Sequence, residues 1–257
     1  MEPNGLDFSQ LLPSPGVWDF YLIRHGESEG NKHGIIQGRM EFPLTSRGMQ
    51  QSLALGQWIE TPDVILSSPL SRALNTGQII AKEKGMGVKK VKVLEELTEV
   101  DTGPFTGKTP EDLKHAMPDL WKAFRLHSWQ AVQGAETQAM LEERAQSCWI
   151  KMANIALEES QRQSKGSLFK QIIDTFTRKS NDKSDSIKHI KVLAVTHSGL
   201  IQWMFRSTFQ VPLVLGLPSI KASNCGVFLF RVKRELDPQG ELGFSSEWRM
   251  INYLPYN

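Results

Sequence analysis

Three short apolar runs break off abruptly into polar, chemistry-bearing residues, and no other feature of the sequence constrains the fold as strongly. Trp18-Asp19-Phe20-Tyr21-Leu22-Ile23 stops at Arg24-His25-Gly26, Val64-Ile65-Leu66 stops at Ser67-Ser68, and Val192-Leu193-Ala194-Val195 stops at Thr196-His197-Ser198-Gly199. Runs of this length and composition read as buried strands. A helical pattern follows each one, which implies parallel strands joined by crossover helices. The expected fold class is α/β: a three-layer α/β/α arrangement with a mostly parallel sheet flanked by helices. Ligands of such sheets sit at the carboxyl ends of the strands. Arg24, His25, the Ser67-Ser68 segment leading to Arg72, and His197 are therefore expected to share one crevice.

The helices carry their own punctuation. Thr45-Ser46 precedes an amphipathic run over 49–59 with Leu53, Leu55, Trp58 and Ile59 as its apolar positions. A helix over 72–84 takes Ser71 or Ser68 as its cap and ends at Gly85. Thr109-Pro110-Glu111-Asp112 is a helix start, with proline first and acids in the first turn. A long helix is expected from 136 to about 159, and late strands over 225–232 and 248–253. Residues 1–17, with Pro3, Pro13 and Pro15 and no basic segment before an apolar run, read as a flexible tail rather than a signal peptide. Residues 18–257 read as one catalytic domain. Within it, the polar stretch 161–191 reads as an insertion: a short amphipathic helix on the apolar island Leu168, Phe169, Ile172, Ile173 and Phe176, with flexible flanks. It is taken as a solvated excursion, with a lid or partner-docking helix as the sharper alternative.

Composition narrows the function. The 30 basic and 28 acidic residues leave a net charge of +2 with no concentrated basic face, so neither nucleic acid nor an anionic membrane is an expected partner. Any anion must be met by a local cluster. Two cysteines, Cys148 and Cys225, are too few for a disulfide framework and read as small core residues in a reducing compartment. No stretch of 18 apolar residues occurs, so no membrane span is expected and the reading is cytoplasmic. No His-Glu-x-x-His, Cys-x-x-Cys or Walker-type loop appears, so neither a metal site nor a cofactor is expected.

Two guanidiniums and two imidazoles at one crevice suit a phosphoryl group, because an arginine fork donates two hydrogen bonds to neighbouring oxygens. In detail the residues resemble the histidine phosphatase superfamily, in its phosphoglycerate-mutase-like branch. The resemblance runs through Arg24-His25-Gly26-Glu27-Ser28, Asn31, Gln37-Gly38, Pro43-Leu44-Thr45, Gly48, and Ser67 to Ala73. It continues through Leu97-Thr98-Glu99 with Gly103 and Gly107, Gly134-Ala135-Glu136-Thr137 with Arg144, and Val195-Thr196-His197-Ser198-Gly199. It covers residues 20 to about 232 apart from the 161–191 stretch.

The resemblance implies that His25 attacks phosphorus and becomes a phosphohistidine, later hydrolysed by water. The charge of Arg24, Arg72 and a protonated His197 is expected to keep His25 neutral and nucleophilic. The same groups would stabilise the equatorial oxygens of the transition state. Asn31, the Gln37-Gly38 turn and the Ser198 backbone N–H are expected substrate contacts. Glu99 is the expected general acid, ahead of Glu95 and Glu96, because only it has the family's glycines four and eight residues downstream. Glu27 and Ser28 are left to helix capping or support, Glu136 to a cap or the pocket's neighbourhood, and His33, His115, His127 and His189 to structure or surface.

Three readings share this pattern: a phosphatase for a small phosphorylated substrate, a mutase, and a phosphate-binding module without turnover. The stretch 113–134 carries Lys114, Lys122 and Arg125 but no adjacent cations. Its Trp121, Phe124, Leu126 and Trp129 suggest an aromatic roof, which favours hydrolysis over mutase chemistry. For the assembly, a homodimer is one option.

Overall fold

The computed structural model describes residues 6–127, 131–176, 188–209 and 220–255. The helices are α1 (Phe8–Leu11), α2 (Glu29–Lys32), α3 (Ser46–Trp58), α4 (Ser71–Glu83), α5 (Pro110–Ala116), α6 (Pro118–His127), α7 (Gln138–Phe176) and α8 (Ser198–Ser207). The strands are β1 (Gly16–Arg24), β2 (Val64–Ser67), β3 (Lys92–Val93), β4 (His189–Thr196), β5 (Val227–Leu236) and β6 (Leu242–Tyr253). They form one sheet in the order β3-β2-β4-β1-β5-β6. The first four of these run parallel, and β5 and β6 close the far edge as an antiparallel hairpin.

β1 is central and buried on both faces, which is why its sequence lacks simple alternation. Trp18, Phe20 and Leu22 face a core shared with α7, α8 and α1. Tyr21 and Ile23 face a second core against α3 and α4. The expected three layers follow. Cys148 and Cys225 are both buried and free. Among the described residues no helix is long and apolar enough to cross a membrane.

Several local expectations need correction. On α3, Leu55 and Ile59 are buried, but Leu53 and Trp58 are 39% exposed, and Trp58 stacks beside Tyr253 instead. At about 100° per residue, positions 53 and 55 cannot share a helix face, whereas 55 and 59 can. α4 begins after Leu70 with no side-chain cap; the Ser68 hydroxyl accepts from the Leu70 N–H, and Ser71 bonds Glu41. The other signals hold: Thr109 and Asp112 form a reciprocal capping box, and Gly85 takes φ +64°.

From residue 6 the N-terminal stretch is not a flexible tail. Leu6, Phe8 and Leu12 join the main core, Phe8 meets Trp149 edge-on at 5.5 Å, and Asp7 caps α1 through the Ser9 N–H. The three apolar side chains outweigh the proline-rich composition that suggested disorder. The expected insertion is also redrawn. α7 extends to Phe176, well past residue 159; the stretch 161–176 holds no proline and a single glycine, Gly166. Residues 189–191 open β4. The side chains of the apolar island and residues 177–187 lie outside those described.

Candidate active site

Strand register builds the site. Ile23 pairs with Val195, Arg24 with Thr196, and Ser67 with Val195, so β1, β4 and β2 end level. The ladder reaches one residue further: His25 N–H donates to the Thr196 carbonyl and Ser68 N–H to the Val195 carbonyl, each at 3.0 Å. His25 and His197 therefore meet, with ring centroids 5.1 Å apart.

His25 is 2% exposed, and its Nδ1 lies 2.7 Å from the Gly26 carbonyl oxygen. A carbonyl only accepts, so Nδ1 carries the proton and Nε2 keeps its lone pair. His197 is fully buried with Nε2 2.8 Å from the Ser68 hydroxyl. That hydroxyl also accepts from the Leu70 N–H, and with a second lone pair and its own proton it suits either tautomer of His197. Among the described residues the buried His197 Nδ1 has no partner.

Two guanidiniums flank the imidazoles. Arg72 is 1% exposed, and its Nη1 and Nη2 donate to the carbonyls of Met40 (2.7 Å) and Gly38 (2.8 Å). Arg24 Nη1 donates to the Ala222 carbonyl at 2.6 Å. The Gln37-Gly38 turn thus serves first as an anchor for Arg72. Gly38 has φ +48°, and a Cβ there would fall 2.7 Å from the Thr102 hydroxyl, so the turn demands glycine. Gln37 is buried, accepting from Ser28. Asn31 closes a capping box with Ser28 and accepts from Asn224 Nδ2 at 3.0 Å, so its own Nδ2 is what remains for a ligand.

Glu99 sits at the start of α8, beside His197. Its Oε1 accepts from the N–H groups of Val100 (2.9 Å) and Leu200 (3.2 Å), and Oε2 from Gly199 (3.3 Å). A Cβ on Gly199 would lie 2.5 Å from Oε1, so the glycine after Ser198 admits this carboxylate. Of its rivals, Glu96 pairs with Lys151 and Glu95 is exposed on the preceding 3-10 turn. A cavity of about 560 Å³ opens beside Arg24 and Ser198.

Burial is the main force holding His25 well below the usual histidine range, and Arg24 and Arg72 add to it. His197 is depressed likewise, by burial and then by His25, Arg72 and Arg24. The expectation of a protonated His197 is therefore corrected: both imidazoles are neutral near pH 7. Histidines that resist protonation when folded but accept it when unfolded make the unfolded chain bind more protons below about pH 6.5. Stability should fall as pH drops through that value, until the folded-state pKa values are reached. Denaturant midpoints between pH 5 and 7.5 measure this, and a His25→Gln, His197→Gln double variant should show a flatter profile.

The aromatic roof also folds differently. Trp121 and Phe124 pack on Phe105, at 6.1 and 5.3 Å, in a small core with Leu113 and Val132; Leu126 is exposed, and Trp129 lies outside the described residues. His33 and His115 pair with glutamates at the surface, and His189 with Asp19; the His127 side chain is not described. Among the described residues no group of three or more His, Cys, Asp or Glu could hold a metal.

The brace around Asn224 escaped the sequence reading. Asn224 Nδ2 donates to the His25 carbonyl at 3.0 Å, and Asn252, at φ +54°, braces the same loop through the Ser223 N–H. The only signal was an Asn-Cys-Gly just before a strand. Arg39, Glu136 and Arg144 form an ion-pair cluster behind Glu99.

The model of the histidine phosphatase superfamily (branch 1) matches residues 20–160. A 2,3-bisphosphoglycerate-dependent phosphoglycerate mutase of Parvibaculum lavamentivorans is 34% identical over 112 residues, 42% of this chain and 51% of that protein. The chain spans about half the length of the curated relatives it matches. A mycobacterial glucosyl-3-phosphoglycerate phosphatase in complex with inorganic phosphate superposes with a TM-score of 0.66 at 19% identity, covering 92% of this chain and 98% of that one. The alpha-ribazole phosphatase of Shigella flexneri gives 0.57 at 19% identity, over 91% and 96%. These structural likenesses bear on the fold.

Proposed function

The chain belongs to the histidine phosphatase superfamily, and from that premise we propose that it hydrolyses small phosphate monoesters through a phosphohistidine on His25. One observation carries the reading. The His25 imidazole is buried and neutral with its proton fixed on Nδ1, so Nε2 offers a lone pair between two guanidiniums. Arg24, Arg72, His197 in the tautomer with its hydrogen on Nδ1, Asn31 Nδ2 and the Ser198 N–H receive the phosphoryl oxygens. Nε2 attacks phosphorus in line, and the ester P–O bond breaks as the P–N bond forms. Glu99 gives the leaving oxygen its proton. It then takes a proton from water as water attacks phosphorus, which releases phosphate and regenerates His25. No step calls for a metal.

Hydrolysis of an aryl phosphate tests this directly. Turnover is expected between about pH 5 and 8, and treatment with EDTA should leave it unchanged. An absence of turnover across that range would return the chain to a phosphate-binding module. A second reading, phosphoryl transfer between positions of one substrate, is favoured by the curated mutase relative. An assay with 3-phosphoglycerate and a bisphosphoglycerate primer separates the two.

A further inference from the structure

The Gly134-Ala135-Glu136-Thr137 block and Arg144 have no part in the phosphate site above, yet they are built with care. Glu136 is 5% exposed, and every oxygen of its carboxylate is filled. Oε1 accepts from Arg144 Nε at 2.7 Å; Oε2 accepts from Arg144 Nη2 at 2.7 Å, Arg39 Nη2 at 3.3 Å and the Asp101 N–H at 3.1 Å. The two arginines turn their remaining donors onto one stretch of backbone. Arg144 Nη1 donates to the carbonyls of Glu96 (2.9 Å) and Thr98 (2.5 Å), and Arg39 Nε to the carbonyl of Glu99 (3.4 Å). The Glu136 N–H closes the ring on the Asp101 carbonyl at 2.9 Å.

The peptide groups on both sides of Glu99 are therefore fixed by two arginines that one carboxylate organises. Leu97 and Val100 already anchor this segment in the core. What the ion-pair cluster adds is direction: it sets where the backbone at residue 99 points, and hence where the carboxylate meets a leaving group. None of these three side chains bonds His25, Arg24, Arg72 or His197.

We propose that Glu136, acting with Arg144, is a positioning residue that aims Glu99 at the leaving-group oxygen. This rests on the reading of Glu99 as the general acid. A displacement of about 1 Å at such a group costs on the order of 100-fold. The loss falls selectively on esters whose leaving group needs a proton. Aryl esters, which depart as stable phenolates, need little help.

The test is kcat/KM, which reports phosphoryl transfer to His25, across monoesters from nitrophenyl to alkyl phosphates. Wild type, Glu99→Gln, Glu136→Gln and Arg144→Lys are compared. Both cluster variants should stay within about threefold of wild type on nitrophenyl phosphate and lose about 10- to 100-fold on alkyl phosphates. The Glu99→Gln, Glu136→Gln double variant should be no worse than Glu99→Gln alone, since there is then no acid left to aim. A loss uniform across the series, or a wild-type slope in both cluster variants, overturns the proposal. A wild-type slope in Glu99→Gln overturns the acid itself, and the two failures are told apart. Should Glu136→Gln and Arg144→Lys fail to fold, Arg39→Gln carries the test from a side chain that is 47% exposed, with a smaller steepening of the slope expected and none overturning the proposal.

Discussion

Replacing His25 with alanine should lower turnover of any phosphate ester by about 10,000-fold or more and abolish the trapping of acid-labile phosphoprotein. The size follows from what the side chain does. A positioned nucleophile turns one difficult displacement into two easier ones, and no neighbour can replace it. His197 is 5.1 Å away, but its Nε2 is engaged by Ser68. The fold should survive, because the imidazole's one side-chain hydrogen bond is to the adjacent Gly26 carbonyl. Rapid quenching into alkali, followed by acid exposure of the labelled protein, measures the intermediate. Phosphoprotein persisting in the variant would show that another residue takes the phosphoryl group.

Arg72→Lys should be nearly as damaging, at about 1,000-fold in kcat/KM, and Arg72→Ala worse. A lysine keeps the charge but loses the planar fork. In this site one guanidinium spans the carbonyls of Gly38 and Met40 while adding its charge to the field on His25. An ammonium cannot hold both carbonyls in that geometry, and a buried carbonyl left unpaired costs about 1–3 kcal/mol. The variant should therefore lose stability together with affinity for vanadate. Thermal unfolding with and without vanadate measures both. A variant that keeps wild-type vanadate affinity would remove Arg72 from the anion site.

The strand ends were legible because a fully buried strand must be apolar until it reaches the ligand edge, so the break at Arg24-His25 or at Thr196-His197 marks that edge by itself. The level ending of β1, β4 and β2 then brings together residues far apart in sequence. What stayed hidden depends on partners rather than on local pattern. Arg144 belongs to the resemblance, but what it bonds shows only when α7 is laid against the 96–101 segment. Asn224 reads as a turn residue until β5 pairs with β1. The protonation of His197 was misjudged because charge is visible in sequence and burial is not. Leu6, Phe8 and Leu12 misled for the same reason: composition describes a segment's solubility and says nothing of the core waiting for it.

β1 lies between β4 and β5, and the first residues of those neighbours are 189 and 227. During synthesis β1 leaves the ribosome long before either of its hydrogen-bonding neighbours. Such long-range pairing forms slowly. The nascent chain thus carries His25 without Thr196 to hold its backbone, His197 beside it, or Ala222 to receive Arg24. The proposed phosphate site is therefore assembled only after β4 and the 222–224 loop have been made, and a chain stopped before them holds His25 on an unpaired strand.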